Sequence, residues 1–237
     1  MANMVDNIEN RYVLLNSKIT IVIAGQFHPG IFTPDWFEFH KIVSKEDCEN
    51  AEIKYIDSST IHINFGWFTW FSDPQRAMIE LNIDGYDDQM LDLTRSIVTM
   101  FAYTKVSAIG VNFKFLININ AEGDWHAIGH TLAPKDVWKS SFGSEDLHYG
   151  MKETAIQVDD FHGKDSLLNM SVKTANNAND PKHRHRLLIE FNNHFNMPDE
   201  NSWNEHIESI LNRYFEMKNH NSEGYKKLLA SILGGIK

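Results

Sequence analysis

The histidines are the side chains whose spacing best suits metal chemistry. His126 and His130 are four residues apart, which brings two imidazoles to one side of a helix. In zinc proteases with this spacing a glutamate directly after the first histidine is the general base, but Ala127 stands there. A metal-dependent hydrolase is therefore our alternative interpretation, because it needs further ligands brought in by the fold. Its candidates are a carboxylate and His126, His130, His183, His185 and His194.

Other catalytic patterns are absent or incomplete. The chain has no glycine-rich phosphate loop and no serine-nucleophile motif. Cys48 lies between Asp47 and Glu49, whose negative charges raise the pKa of a thiol and reduce its thiolate fraction. Glu52 and Lys54 have the spacing of half a metal-dependent nuclease site, but no strand precedes them to carry the other carboxylate. We therefore expect a protein without a catalytic site, metal or cofactor.

Polar side chains follow the predicted strands on the side that faces away from the core. Most of them are amides or imidazoles, which both donate and accept hydrogen bonds. We predict that they form one face that binds a polar ligand or peptide; a solvated face is the alternative. The members of this polar face are His62, Asn64, Glu80, Asn82, Asn112, Asn118, Glu190, Asn192 and His194.

One predicted strand carries aromatic residues on both of its faces. Alternation along residues 60–71 assigns Trp67 and Phe71 to the core, which turns Phe68 and Trp70 to the other side. Large aromatic side chains there need cover from a helix of the same chain or from another subunit. We predict an interface at Phe68 and Trp70, with internal cover as the alternative.

The elements that position these residues are strands and amphipathic helices. Apolar residues alternate along 18–27, 60–71 and 106–120, which indicates long strands with one buried face. Residues 87–104 have apolar positions three and four apart and two acids in the first turn, which predicts a helix. Near the C-terminus, Ser202 with Glu205 forms a capping box that predicts the start of another helix, and Ser222 predicts the start of one more. We expect an α+β fold: a long, mostly antiparallel sheet with helices packed on one side.

The order of the predicted elements repeats along the chain. Residues 12–105 and 106–237 each give the series β-α-β-β-β-α, although few residues are identical between them. No flexible linker separates these halves. We therefore predict one globular unit, 1–237, with an internal pseudo-repeat.

Composition narrows the class of partner. The 237 residues carry a formal net charge of −10, which disfavours nucleic acid because phosphate binding needs clustered cations. No apolar run approaches the roughly 20 residues that span a bilayer, and the start of the chain lacks a secretion signal. One cysteine suits a reducing compartment. We expect a soluble, acidic, cytoplasmic protein, and its many Asn, Ile and Lys residues suggest a bacterial or phage source.

The function predicted from sequence is thus non-catalytic. We expect a protein-binding or assembly subunit that also associates with itself. A hydrolase using the histidines above and a protein that binds a small polar ligand are the alternatives.

Overall fold

Alternation of apolar residues puts much of the chain into a single antiparallel sheet. The computed structural model describes residues 8, 10–57, 59–143, 148–175, 180–198 and 203–235. Nine strands pair in the order β2-β3-β4-β5-β1-β6-β9-β8-β7, so the two longest lie side by side near the middle. The strands are β1 Tyr12–Gly25, β2 Glu52–Ile56, β3 Ile61–Asn64, β4 Phe68–Asp73, β5 Arg76–Leu81, β6 Val106–Ile119, β7 Glu153–Asp159, β8 Ser166–Thr174 and β9 Arg186–Asn196.

Seven α-helices occur in the described ranges, and they pack on one side of the sheet, which confirms the predicted α+β class. Thr33 begins the first helix, because its side chain accepts a hydrogen bond from the backbone N–H of Trp36 at 3.2 Å. The helices are α1 Pro34–Phe39, α2 Lys45–Glu49, α3 Asp87–Met100, α4 Glu122–Leu132, α5 Asp136–Phe142, α6 Trp203–Leu211 and α7 Tyr214–Gly234.

The C-terminal helices divide at a different point from the one the sequence predicts. Ser222 reads as the start of a new helix, but α7 runs through it without a break. Apolar residues continue at helical spacing from Tyr214 through Met217 to Tyr225, and all three are buried. This stripe holds one long helix against the sheet. The predicted capping residue Ser202 lies outside the described residues.

A turn divides residues 60–71, which the sequence predicts as one strand, into β3 and β4. Gly66 has φ +84°, a conformation that glycine adopts readily, and its N–H donates to Oδ1 of Asn64 at 2.9 Å. The N–H of Phe65 donates to the carbonyl of Phe68 at 2.9 Å, which closes the turn. The prediction of one continuous strand is therefore wrong, and the residues after Gly66 change faces.

The sheet has one face covered by helices and one face on which the described ranges place no helix. Ile21, Val111 and Ile189 lie on the covered face and are at most 1% exposed, with Met90 and Leu229 among the helix residues that cover the sheet. Each half of the chain begins with a long strand, and the last strand of the following meander returns to pair with it: β5 with β1, and β9 with β6. One globular unit, 1–237, with pseudo-repeat halves 12–105 and 106–237 stays a prediction.

Candidate functional site

Phe68 and Trp70, the predicted interface, lie in the core. Both are 0% exposed, and the ring of Trp70 lies 4.8 Å from that of Phe32 and 5.3 Å from that of Phe37 in α1. The assignment of these residues to the outer face is wrong, because it assumed that the alternation of β3 continues without a break through the turn at Gly66. Our alternative interpretation was that a helix of the same chain covers these residues, and that helix is α1.

The predicted polar face separates into residues that hold the fold and residues that meet in a cleft. Asn82 donates to Oδ1 of Asn64 at 3.1 Å and to the carbonyl of Gly66 at 3.0 Å, so both asparagines stabilise the β3–β4 turn. Glu80 forms an ion pair with Lys18 on the neighbouring strand. The outer-face side chains nearest β2 are therefore largely occupied.

Three further members of the predicted face also lie outside the cleft. The ring of His62 lies 6.2 Å from that of Phe71. Asn118 is 5% exposed, and its amide donates to the carbonyl of Ile119 at 3.3 Å. Nε2 of His194 lies 3.1 Å from Oδ1 of Asn196. The sequence prediction thus grouped side chains that the sheet distributes over its whole width.

Asn112, Asn192 and Glu190 are brought together on the outer face of β6 and β9. Asn112 is the cross-strand partner of Asn192, which is in turn the partner of Asn169 in β8. Asn169 pairs with Gln157 of β7, so four amide side chains cross four strands in line. We call Gln157, Asn169, Asn192 and Asn112 the amide row.

Charged residues of alternating sign lie beside the amide row. The Glu190 carboxylate accepts from Lys114 Nζ at 3.1 Å and from Lys173 Nζ at 2.6 Å, and Lys173 also lies 3.4 Å from Glu153. Burial by itself raises the pKa of Glu190, but the hydrogen bonds from both lysines outweigh it and hold the pKa below its ordinary value. We call Glu153, Lys173, Glu190 and Lys114 the charge ladder.

Small side chains open a cleft between these two sets. Ala155 and Ser171 pair across β7 and β8 between Gln157 and Asn169 on one side and Glu153 and Lys173 on the other. The resulting cleft has a volume of about 550 Å³, within the range of ligand sites. The Oδ1 atoms of Asn112 and Asn192 are buried and have no hydrogen-bond partner in the part of the chain that the structure describes. The amide row therefore has hydrogen-bonding capacity that its own contacts there do not use.

Five of the eight residues of the amide row and the charge ladder were not predicted from the sequence. Gln157, Asn169, Lys114, Glu153 and Lys173 were not assigned to the polar face, although Asn169 alternates with buried Leu168 and Val172 in the expected way. The alternation of side chains along β8 is enough to place Asn169 on that face. It does not show that β8 pairs with β9, and this pairing makes Asn169 a neighbour of Asn192.

The histidines of the alternative hydrolase do not form a metal site in the part of the chain that the structure describes. No group of three His, Cys, Asp or Glu residues there is placed to hold a metal ion. His126 lies 3.6 Å from Glu122, and His183 lies 3.1 Å from Asp180. The ring of His185 instead contacts Trp125, with centroids 5.6 Å apart.

Cys48 is poorly suited to act as a nucleophile. Burial, together with the carboxylates of Glu38, Asp47 and Asp35, raises the pKa of its thiol to about 11. A raised pKa is the direction predicted from the acidic neighbours of Cys48. Burial of the thiol is the larger cause of the increase, and the sequence did not indicate that burial.

Comparison with models of known protein families and with the sequences of curated proteins finds no match for this chain. None of the helices in the described ranges is long and apolar enough to cross a membrane.

Proposed function

We propose that this protein is a non-catalytic binding protein that holds a polar segment of a partner protein in the cleft between the amide row and the charge ladder. The observation that carries the proposal is the alignment of four amides across four strands on a face without helices. Such a row has more hydrogen-bonding groups than its own packing uses, as the unpartnered Oδ1 atoms of Asn112 and Asn192 indicate.

A peptide segment matches this chemistry better than a sugar or an apolar ligand. Side-chain amides donate and accept, as do the N–H and C=O groups of an extended peptide. The charge ladder adds both signs, which suits a segment with polar or charged side chains. Phe191 is the one aromatic residue lining the cleft, and its ring is 5% exposed and lies 6.1 Å from that of Phe115 in the core. An aromatic platform for stacking a sugar ring is thus missing from the lining residues.

The charges of the cleft favour binding over catalysis. A general acid at neutral pH needs a raised carboxyl pKa, and that of Glu190 is lowered. Two lysines already occupy its carboxylate oxygens. Such an ion-paired carboxylate positions and orients a ligand.

Selection from a phage-displayed library of random peptides tests the proposal. We expect the wild-type protein to enrich polar sequences, and the selected peptides to bind the Asn169→Ala/Asn192→Ala variant at least about tenfold more weakly, which corresponds to loss of one or two hydrogen bonds. Asn219→Ala, an exposed site on α7, is the matched control. Failure to enrich any sequence, or equal binding by the cleft variant, would refute the proposal.

We propose that self-association uses the edge strand β2, since Phe68 and Trp70 are buried. Ile53 and Ile56 are each 48% exposed on this strand. Antiparallel pairing of two copies about Ile53 places Glu52 of each copy opposite Lys54 of the other. It also gives hydrogen-bond partners to the backbone groups at the free edge of β2. In sedimentation velocity, Ile53→Lys should shift the protein to monomer, whereas Ile83→Lys, at a site 47% exposed, should not. A wild-type monomer at high concentration would contradict this proposal.

We also propose a cytoplasmic location. Cys48 is a free, buried thiol, which is stable in a reducing compartment. Fractionation of the source cells should recover the protein with cytoplasmic markers, and recovery from the culture medium would contradict the proposal.

A further inference from the structure

A second cavity lies on the helix side of the sheet. Its volume is about 240 Å³, and it is enclosed by α4, by residues 148–151 and by the ends of β8 and β9. Gly129 of α4 faces this segment, and a Cβ atom at that position would make an ordinary van der Waals contact with Cβ of Met151 at 3.6 Å. Side chains of Met151, Leu187 and Trp125 supply its apolar wall.

The ammonium group of Lys135 is held at this cavity. Lys135 is 7% exposed, and its Nζ donates to the carbonyl of Gly129 at 2.7 Å and to that of Ala133 at the end of α4. These carbonyls anchor the side chain but do not neutralise it. Within the described ranges no carboxylate forms an ion pair with Lys135. Its third N–H remains for another acceptor.

The other polar groups at the cavity are donors or can become donors. Trp125 Nε1 and Tyr149 Oη are buried and have no hydrogen-bond partner among the described residues. His126, His130 and His148 also line the cavity, and none of the described residues that line it is acidic. A buried cation with unpaired donors around it has a desolvation cost that an acceptor-rich or negatively charged ligand would offset.

We propose that this cavity binds a small organic carboxylate with a compact apolar body. The carboxylate pairs with Lys135 and accepts from Trp125 Nε1 or Tyr149 Oη after a small rotation of these side chains. The apolar body lies against Met151 and Leu187. The site is separate from the amide row, which is on the other face of the sheet, so it neither requires nor supports the proposed peptide binding.

Benzoate is a suitable probe, because it combines one carboxylate with a ring. In isothermal titration calorimetry we expect the wild-type protein to bind benzoate about 10-fold to 100-fold more tightly than benzamide, its neutral isostere, since a hydrogen bond to a charged group is the stronger one. Inorganic phosphate carries charge without an apolar body and should bind more weakly than benzoate.

Protein variants locate the site. Lys135→Met keeps most of the apolar stem and should abolish benzoate binding, while Lys139→Met, at an exposed position of α5, should leave it unchanged. Because Lys135 also stabilises the end of α4, Trp125→Phe provides a second variant, which keeps an aromatic ring and removes the Nε1 donor; we expect it to weaken benzoate binding about tenfold.

Three results would overturn the proposal. They are no benzoate binding by the wild-type protein at millimolar concentration, equal affinity for benzoate and benzamide, and benzoate binding that survives both Lys135→Met and Trp125→Phe. Binding of phosphate as tight as that of benzoate would refute the assignment of an apolar body.

Discussion

Replacing Tyr214 by Phe should lower the free energy of unfolding by about 2 kcal/mol, although the change removes one oxygen atom. Tyr214 is 0% exposed, and its hydroxyl donates to the carboxylate of Asp87 at the start of α3. Asp87 is 6% exposed and also accepts from Lys218 Nζ at 2.7 Å. Since α3 and α7 come from different halves of the chain, this cluster links the halves on the helix side of the sheet.

The expected loss in the free energy of unfolding follows from the burial of the hydrogen bond between Tyr214 and Asp87. A hydrogen bond to a charged group contributes about 1.5–3 kcal/mol, and phenylalanine retains the ring contact with Phe113, whose centroid is 6.0 Å away. Lys218→Met removes the cation instead. A fully buried charge left unpaired costs about 3–5 kcal/mol, but the Lys218 side chain is 33% exposed, so solvent screens the pair and we expect about 1 kcal/mol.

The effect should also depend on pH. Burial alone raises the pKa of Asp87, but the hydrogen bonds from Lys218 and Tyr214 outweigh it and lower the pKa. A carboxyl whose folded pKa is depressed stabilises the protein above its unfolded pKa of about 3.9, and this contribution is lost as the pH falls through the folded value. The difference between wild-type protein and Tyr214→Phe should therefore be full at pH 7 and shrink in acid.

Urea unfolding at pH 7 and at pH 3, followed by tryptophan fluorescence, measures both effects. At this chain length, about 2 kcal/mol corresponds to a fall of about 4–8 °C in thermal midpoint. A double-mutant cycle with Asp87→Asn isolates the coupling free energy between Tyr214 and Asp87, which we expect to be about 1 kcal/mol or more, half of the effect of Tyr214→Phe alone. Additive losses, or an effect of Tyr214→Phe below about 0.5 kcal/mol at pH 7, would refute the assigned role of this cluster.

Three further predictions test burial. Trp70→Ala should cost about 3–5 kcal/mol in urea unfolding, whereas Trp138→Ala, at a site 54% exposed, should cost less than about 0.5. Burial lowers the pKa of His162, which bonds Asn193 at 2.7 Å, so stability should fall as pH drops below about 6.5 and His162→Gln should remove that slope. Cys48 should react with iodoacetamide at pH 8 only after unfolding, because its pKa is about 11; rapid labelling of the native protein would contradict its burial.

Long regular patterns in the sequence predict the fold well. Apolar residues alternate from Ile109 to Ile119, and β6 covers Val106–Ile119. The helix predicted at 87–104 forms over Asp87–Met100, with both predicted acids in its first turn. In these segments one periodicity extends over many residues, so local sequence and burial select the same structure.

Prediction failed where one residue resets the pattern. Ile61 and Ile63 in β3 and Phe65 directly after it face the core, and the same alternation continued past Gly66 would place Trp67 there. The positive φ of Gly66 turns the chain instead, and Phe68 and Trp70 become the buried pair. A glycine inside an alternating apolar run signals a turn or bulge as readily as a continuous strand, and the sequence alone does not say which.

The cleft illustrates a second limit, which concerns neighbours. The alternation of side chains along each strand was enough to place Asn112 and Asn192 on the outer face. To predict the amide row, one must also know which strands are neighbours in the sheet. Here β6 pairs with β9, whose partner residues Asn112 and Asn192 are 80 residues apart in the chain, and not with β7, the next strand in sequence. Long-range pairing depends on the total packing of the sheet and its helices, which no local pattern encodes. The sequence shows that the amide side chains are polar. It does not show that they line one cleft, in which Ala155 and Ser171 leave space between the amide row and the charge ladder, because this arrangement depends on the assembled sheet.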